Sequence, residues 1–462
     1  MEKIRAGLMV CNGTIISMDA ECKVITNGAL VVKGQKILDI GTVKDITAKY
    51  TAEEILDASG MIVMPGMVDT HFHTAQQFER GLLGTLAKDG NFKVPFWLNY
   101  LVSFEASLTD EDILLSAQFA YANMLKVGTT CFADAGGPKP EIMAEALKET
   151  GIRGVLVRST LDLQKGVPFE MRDTPQGILE KGRRLHKTWH GAADGRVRIW
   201  MGMRQILICS QGLLRDLRDL ALELDTGIHI HLGEGTYEVD FAIEVSGMRP
   251  AMYLESLGFL DAKVHAGHSV LLSNQELDLY EQYDVSASHC PAPAFMAMGA
   301  PKIPEMLKRG IRVGLGTDGA ISSGGSLDLF KQQAISYYAL VAAYGRPYHD
   351  KAPISNLDLL QMATIGGARA LRWEDEIGSL EVGKKADMIL LSCDDLDVLP
   401  VYDPVFMAAS NAGPTHVHTV LVDGKVVVRD GKLTMVDEEE LKARVKERAP
   451  KIVERFLARL GD

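Results

Sequence analysis

The chain of 462 residues has a formal charge of −12, 47% hydrophobic and 24% charged residues, the makeup of a large soluble globular protein with two or three domains or one barrel with additions. A negative balance with no basic stripe excludes a phosphate-neutralising grip on nucleic acid, and no apolar run reaches the roughly 18 residues of a membrane span. Six cysteines (11, 22, 131, 209, 290 and 393) without C-x-x-C spacing, and a first segment lacking the apolar stretch of a signal peptide, point to a reduced, cytoplasmic setting.

Residues 7–66 read as short strands broken by turn signals such as Asn12-Gly13, Asn27-Gly28 and Lys33-Gly34, the texture of a small antiparallel sheet. It returns in 387–392 and in 417–428 with an Asp423-Gly424 turn. The expectation is one composite β-sandwich domain from both chain ends, 1–66 plus 383–435. Between them, 67–382 alternates apolar strand-like segments with helical ones. Strands are expected at 63–70, 129–134, 154–159, 197–203, 227–232, 263–268, 284–289 and 312–317. Eight strands with helical returns give an α/β fold, a (β/α)₈ TIM-type barrel. The last stretch, 436–462, places Leu441, Val445, Ile452, Val453, Phe456 and Leu460 on one helical stripe; it packs on the body or, alternatively, forms a homodimer contact.

A barrel carries its chemistry at the C-terminal ends of its strands. The first strand runs into His71 and His73, which share a face because side chains two apart in a strand do. The fifth ends in His231 with Glu234 three residues on, the sixth in His268, the seventh in His289 and the eighth in Asp318. His186, His190, His349, His416 and His418 fall on helices, loops or the outer domain and read as structural. His229 and His265 lie inside strands and read as packing.

These residues sit in Pro65-Gly-Met-Val-Asp-Thr-His-Phe-His73, His231-x-x-Glu234, Ser288-His-Cys-Pro291, Thr317-Asp-Gly319 and the tail motif of residues 378–387. Together they resemble the amidohydrolase superfamily, in its cytosine-deaminase-like and chlorohydrolase-like branch, over essentially the whole length. The resemblance implies metal ligation by His71, His73, His231 and Asp318, which suits one divalent ion, Zn²⁺ first and Fe²⁺ also, with an open position for water. Asp318 is then the base, Glu234 the proton shuttle, His268 an electrostatic contact and His289 a further polar contact. Binuclear relatives carry a carbamylated lysine on the fourth strand, where this chain has none, so one ion is expected.

The segment after the first strand shapes the pocket in this branch. Gln76, in H-x-H-x-x-Q, is placed as in guanine, 8-oxoguanine and triazine aminohydrolases. Trp97, Glu105 and Arg158 resemble pocket positions of methylthioadenosine/S-adenosylhomocysteine deaminases, although those enzymes usually carry methionine at the position of Gln76. Cys290 likewise replaces a commoner asparagine. Glycine- and serine-rich 319–325 is expected to line the pocket floor or admit substrate, and neither a P-loop nor a G-x-S-x-G elbow is present. The expected activity is hydrolytic deamination of a small amino-substituted heterocycle (purine, pterin, pyrimidine or triazine) with ammonia released. The alternatives are a nucleoside deaminase of the methylthioadenosine type, a hydrolase of substituted amine, chloride or urea groups, and a non-catalytic scaffold.

Overall fold

A computed structural model describes residues 3–86, 92–163, 166–322, 325–345 and 353–461; His349, Ser323 and Gly324 lie outside them. The chain divides into two compact units, one holding Thr70–Tyr121, Phe132–Leu327 and Glu438–Asp462, the other holding the remainder.

In the second of these, hydrogen bonding makes one nine-stranded sheet from both chain ends. Its seam is Met388–Ser392, which runs antiparallel to Met61–Pro65 from Met388↔Pro65 to Ser392↔Met61. Leu8, Val10, Val63, Met388, Leu390 and Leu421 pack into a buried cluster, and burying each such side chain is worth about 1.5–3 kcal/mol. The sheet is mixed rather than antiparallel as the hairpin turns suggest. Tyr50–Asp57 and Met61–Pro65 both run parallel to Ile4–Ile16. Tyr50–Asp57 escapes a reading by alternation because Leu56 is its one buried residue, and an edge strand without a buried face carries no period-2 signal.

The barrel is an eight-stranded parallel sheet: β1 (Met67–Phe72), β2 (Thr129–Asp134), β3 (Arg153–Val157), β4 (Val197–Met203), β5 (Gly227–Leu232), β6 (Lys263–His268), β7 (Ser286–His289) and β8 (Val313–Leu315). It closes where Asp318 bridges Phe72 in parallel and the Asp318 N–H donates to the His71 carbonyl at 2.8 Å. Most strands are buried at every position, as expected when helices cover a parallel sheet. The stretch 63–70 is not one strand. It breaks at Gly66, where a Cβ would lie 2.1 Å from the Thr130 hydroxyl oxygen; the residues before it join the outer sheet and those after it the barrel.

The C-terminal helix, Glu438–Gly461, belongs to the barrel unit. Phe456 is fully buried against Phe104, with ring centroids 5.2 Å apart. Arg448 and Arg455 both donate to the buried carboxylate of Asp112. No helix among the described residues is long and apolar enough to cross a membrane.

Candidate active site

His71 is the penultimate residue of β1, and His73 follows the strand end. The ring of His71 is fixed from behind: its Nδ1 is 2.8 Å from His229 Nε2 on β5, which turns Nε2 toward the barrel mouth. Space for that ring exists because residue 267 is glycine, where a Cβ would come within 2.4 Å of His71 Cε1. His265 pins the same strand, its Nε2 lying 2.9 Å from the Thr70 carbonyl and its Nδ1 2.9 Å from Ser286 Oγ. The two in-strand histidines therefore brace the β1 end.

Around His71 the polar atoms converge. His73 Nε2 and His231 Nε2 are 3.2 Å apart, and Asp318 Oδ1 lies 3.4 Å from His73 Nε2 and 3.6 Å from His71 Nε2. Donors bound to one ion at about 2.0–2.1 Å in a tetrahedron lie about 3.3–3.4 Å from one another. The spacing thus suits a single cation. In two overlapping triads, His71/His231/His268 and His71/His73/Asp318, the ligand atoms all lie within 4.8 Å of one another, so His268 is within reach as a fifth donor.

His268 and Asp318 both adopt left-handed backbone, with φ of 69° and 63°. Such conformations cost non-glycine residues about 1–3 kcal/mol and gather at functional sites. Burial lowers His71 to about 4, and it also holds His73 and His231 well below the ordinary imidazole value. All three rings are consequently neutral at pH 7, the form that donates a lone pair to a metal. Burial pushes the Asp318 carboxyl up, but the His71 hydrogen bond and the neighbouring His268 and His73 outweigh it and hold the group well below the carboxylate range.

Glu234 stands two residues past β5. Gln205 Nε2 donates to its Oε2 at 3.2 Å, and Tyr237 is hydrogen-bonded to its side chain. Trp97 Nε1 in turn donates to the Tyr237 hydroxyl at 3.1 Å, so Trp97 steadies the acid as well as lining the pocket. Glu238 accepts the Glu234 backbone N–H at 2.9 Å; burial raises its carboxyl to about 8. A neutral acid therefore sits beneath Glu234 near pH 7.

A cavity of about 570 Å³ opens on this cluster, lined by His73, His231, Glu234, His268, Asp318 and Trp97 among others. Ile321 and Ser322 reach it, and the Ser322 hydroxyl donates to Asp318 Oδ2 at 2.7 Å. Gln76, Glu105, Arg158 and His289 are absent from its wall. Gln76 Nε2 donates to Glu105 Oε1 at 2.7 Å, and Arg204 Nη1 reaches both Glu105 oxygens at 2.8 and 2.7 Å. Gln76 and Glu105 thus hold Arg204, which is the residue that faces the cavity and lies 5.9 Å from the Trp97 ring centre.

Arg158, expected at the pocket, is not among the residues that line this cavity. It borders a separate small cavity with Ile178, Gly182, Leu185 and Leu217, residues of the helix layer. Side chains alternate along a strand and its extension, and position 158 falls on the outward side. His289 is buried with its ring lowered to about 3 by burial, beside Phe295. Cys290 is buried near Ser288.

Sequence reading misses Arg204, Gln205, Tyr237 and Glu238. The available signal for Arg204 is its place directly after β4, the strand that carries no lysine. Because Arg204 and Glu105 are 2% and 0% exposed in their side chains, Arg204→Met alone is expected to cost about 3–5 kcal/mol by stranding the carboxylate. Adding Glu105→Leu should recover most of that in chemical denaturation; an unchanged midpoint for the single variant would show that Glu105 finds another partner.

A sequence profile of the amidohydrolase family matches residues 62–427. The 5-methylthioadenosine/S-adenosylhomocysteine deaminase of Thermoanaerobacter pseudethanolicus is 32% identical over 454 residues, covering 97% of this chain and 100% of that protein. The 5'-deoxyadenosine deaminase of Methanobrevibacter smithii is 36% identical over 419 residues, 90% of this chain and 91% of its own. Among solved structures, a zinc-bound adenosine deaminase from Xanthomonas campestris aligns with a TM-score of 0.90 at 24% identity, over 99% and 100% of the two chains. A zinc complex of atrazine chlorohydrolase from Arthrobacter aurescens aligns with a TM-score of 0.85 at 24% identity, over 96% and 100%. At that identity these two speak for the fold. With the profile spanning most of its length and full-length relatives above 30% identity, the chain belongs to the amidohydrolase family.

Proposed function

We propose that the protein is a metal-dependent aminohydrolase that replaces the exocyclic amine of a nitrogen heterocycle by oxygen and releases ammonia. The observation that carries this reading is the meeting of neutral imidazoles, an anionic carboxylate and a separately held glutamate at one end of one cavity. The relatives named as deaminases of adenosine derivatives favour a purine ring. We assign His71, His73, His231 and Asp318 to a single divalent ion, Zn²⁺ in the first place, Fe²⁺ fitting the same donors. When bound, such an ion acidifies a water toward a pKa of about 7 and polarises the carbon under attack.

The side chains divide the remaining work. Asp318, held anionic, takes the proton from the attacking water. Glu234 delivers a proton to the ring nitrogen next to that carbon, offsetting the loss of aromaticity as the carbon–oxygen bond forms. His268 hydrogen-bonds to the oxygen as charge develops on it. The carbon–nitrogen bond then breaks, the leaving amine departs as ammonia with the proton that Asp318 accepted, and the proton left on the new hydroxyl passes to Glu234, so that the oxygen becomes the carbonyl and the acid is restored. Arg204 donates a hydrogen bond to the ring edge opposite the reacting carbon, fixed by Glu105 and Gln76. His289, behind the wall, supports β7 packing.

His229 orients His71 without touching substrate. His229→Ala is expected to weaken metal affinity about 10- to 100-fold, read by competition with a chromophoric chelator. Unchanged affinity would leave His229 as packing alone. Six cysteines free of disulfides agree with a cytoplasmic setting. The reaction itself is tested by ammonia release from a panel of purines, pterins, pyrimidines, adenosyl compounds and triazines. Release from a purine is the expected result, whereas loss of chloride or alkylamine from triazines alone would replace deamination by the other hydrolysis.

A further inference from the structure

The cavity is polar at one end and apolar at the other. His73, His231, Glu234, His268 and Asp318 stand together with Gln205, Tyr237 and Ser322 hydrogen-bonded to them and Arg204 beside Trp97, and the remaining wall includes Val94, Phe96, Leu101, Leu271 and Met296. Toward the rim the apolar character becomes more pronounced: Val94 is 71% exposed and Met296 56%. Bulky apolar groups left to water beside a cavity are covered when a ligand occupies it, and covering them favours binding.

A sugar diol calls for a different wall. Ribose hydroxyls are recognised by carboxylate acceptors, and the described residues lining this cavity offer two, Glu234 and Asp318. Both stand at the reacting end. Two further acids lie behind the wall: Glu238 accepts the Glu234 backbone N–H, and Glu105 is fully buried and already accepts from Gln76 and Arg204. Beyond the reacting end, then, the described wall offers a diol no carboxylate, and Leu101, Leu271 and Met296 are among the side chains that line it.

We infer that the heterocycle carries an apolar alkyl or aryl substituent on the side away from the amine, in place of a ribosyl diol. This rests on the aminohydrolase reading above, and it separates the chain from the nucleoside deaminases it is similar to.

The test compares matched pairs on the full-length, Zn²⁺-loaded protein: 9-benzyladenine against adenosine, and 9-benzylguanine against guanosine. Ammonia release gives kcat/KM. Calorimetry on the oxo products, 9-benzylhypoxanthine against inosine and 9-benzylxanthine against xanthosine, gives affinity independently of turnover. The benzyl member should lead by about 10²-fold in both, the scale on which an apolar pocket discriminates against an added hydroxyl. Met296→Asp should shrink that lead at least about tenfold. A ribosyl member that equals or exceeds its benzyl partner, or benzyl products that do not bind, overturns the inference. Preferential benzyl binding with no ammonia from any ring sustains the apolar subsite and removes the deaminase reading. Faster release from the nucleosides does the reverse.

Discussion

Asp318→Asn is expected to abolish turnover and to strip the protein of its metal. The side chain is 10% exposed, its Oδ2 accepts from Ser322, and its Oδ1 faces the Nε2 atoms of His71 and His73. Asparagine keeps the shape but removes the charge, and its amide group would present either a donor or a weak acceptor to the ligand cluster. Loss of the general base alone accounts for about 10²- to 10⁴-fold in rate. A weakened ion adds to that figure. Ammonia-release kinetics with elemental analysis of the dialysed protein provide the measurement; a variant that keeps full metal and more than about a tenth of the rate would take Asp318 out of both roles.

Glu234→Gln should separate the two functions that Asp318 combines. Glutamine can hold the contacts to Gln205 and Tyr237 and leaves the His71, His73, His231 and Asp318 cluster untouched, but it has no proton to give the ring. Metal content should stay at the wild-type level while kcat falls about 10²- to 10⁴-fold, with KM changing little because the lost interaction belongs to the transition state. Near-normal kcat would remove proton delivery from Glu234. Loss of metal alongside rate would mean that its role is to support the ligand set.

The residues that converge were legible from sequence because a barrel strand is buried on both faces, so a histidine or aspartate at its end stands out against an apolar run. His71, His73, His231, His268 and Asp318 are all of this kind, and the chain closes the barrel so that they meet. The pocket wall was less legible. Arg158 follows an apolar strand just as His268 ends one, yet it faces the helix layer, since one step along a strand reverses the side-chain direction. Gln76 and Glu105 carry polar groups at plausible positions, but their hydrogen bonds are to each other and to Arg204. That partnership joins residues from distant parts of the chain and leaves no local pattern. The roles of His229 and His265 were hidden for the same reason: a buried histidine that braces a neighbouring strand has the same sequence context as one that merely packs. In the outer sheet, exposed Tyr50–Asp57 has no hydrophobic period to read, and the break at Gly66 depends on the approach of Thr130.

Anomalous scattering collected above the zinc absorption edge, from crystals of protein loaded with Zn²⁺, tests the convergence most directly. One peak is expected, within about 2.0–2.2 Å of an imidazole nitrogen of each of His71, His73 and His231 and of a carboxylate oxygen of Asp318. Two peaks at the barrel mouth, or a single peak bound by other side chains while these four point apart, would contradict it.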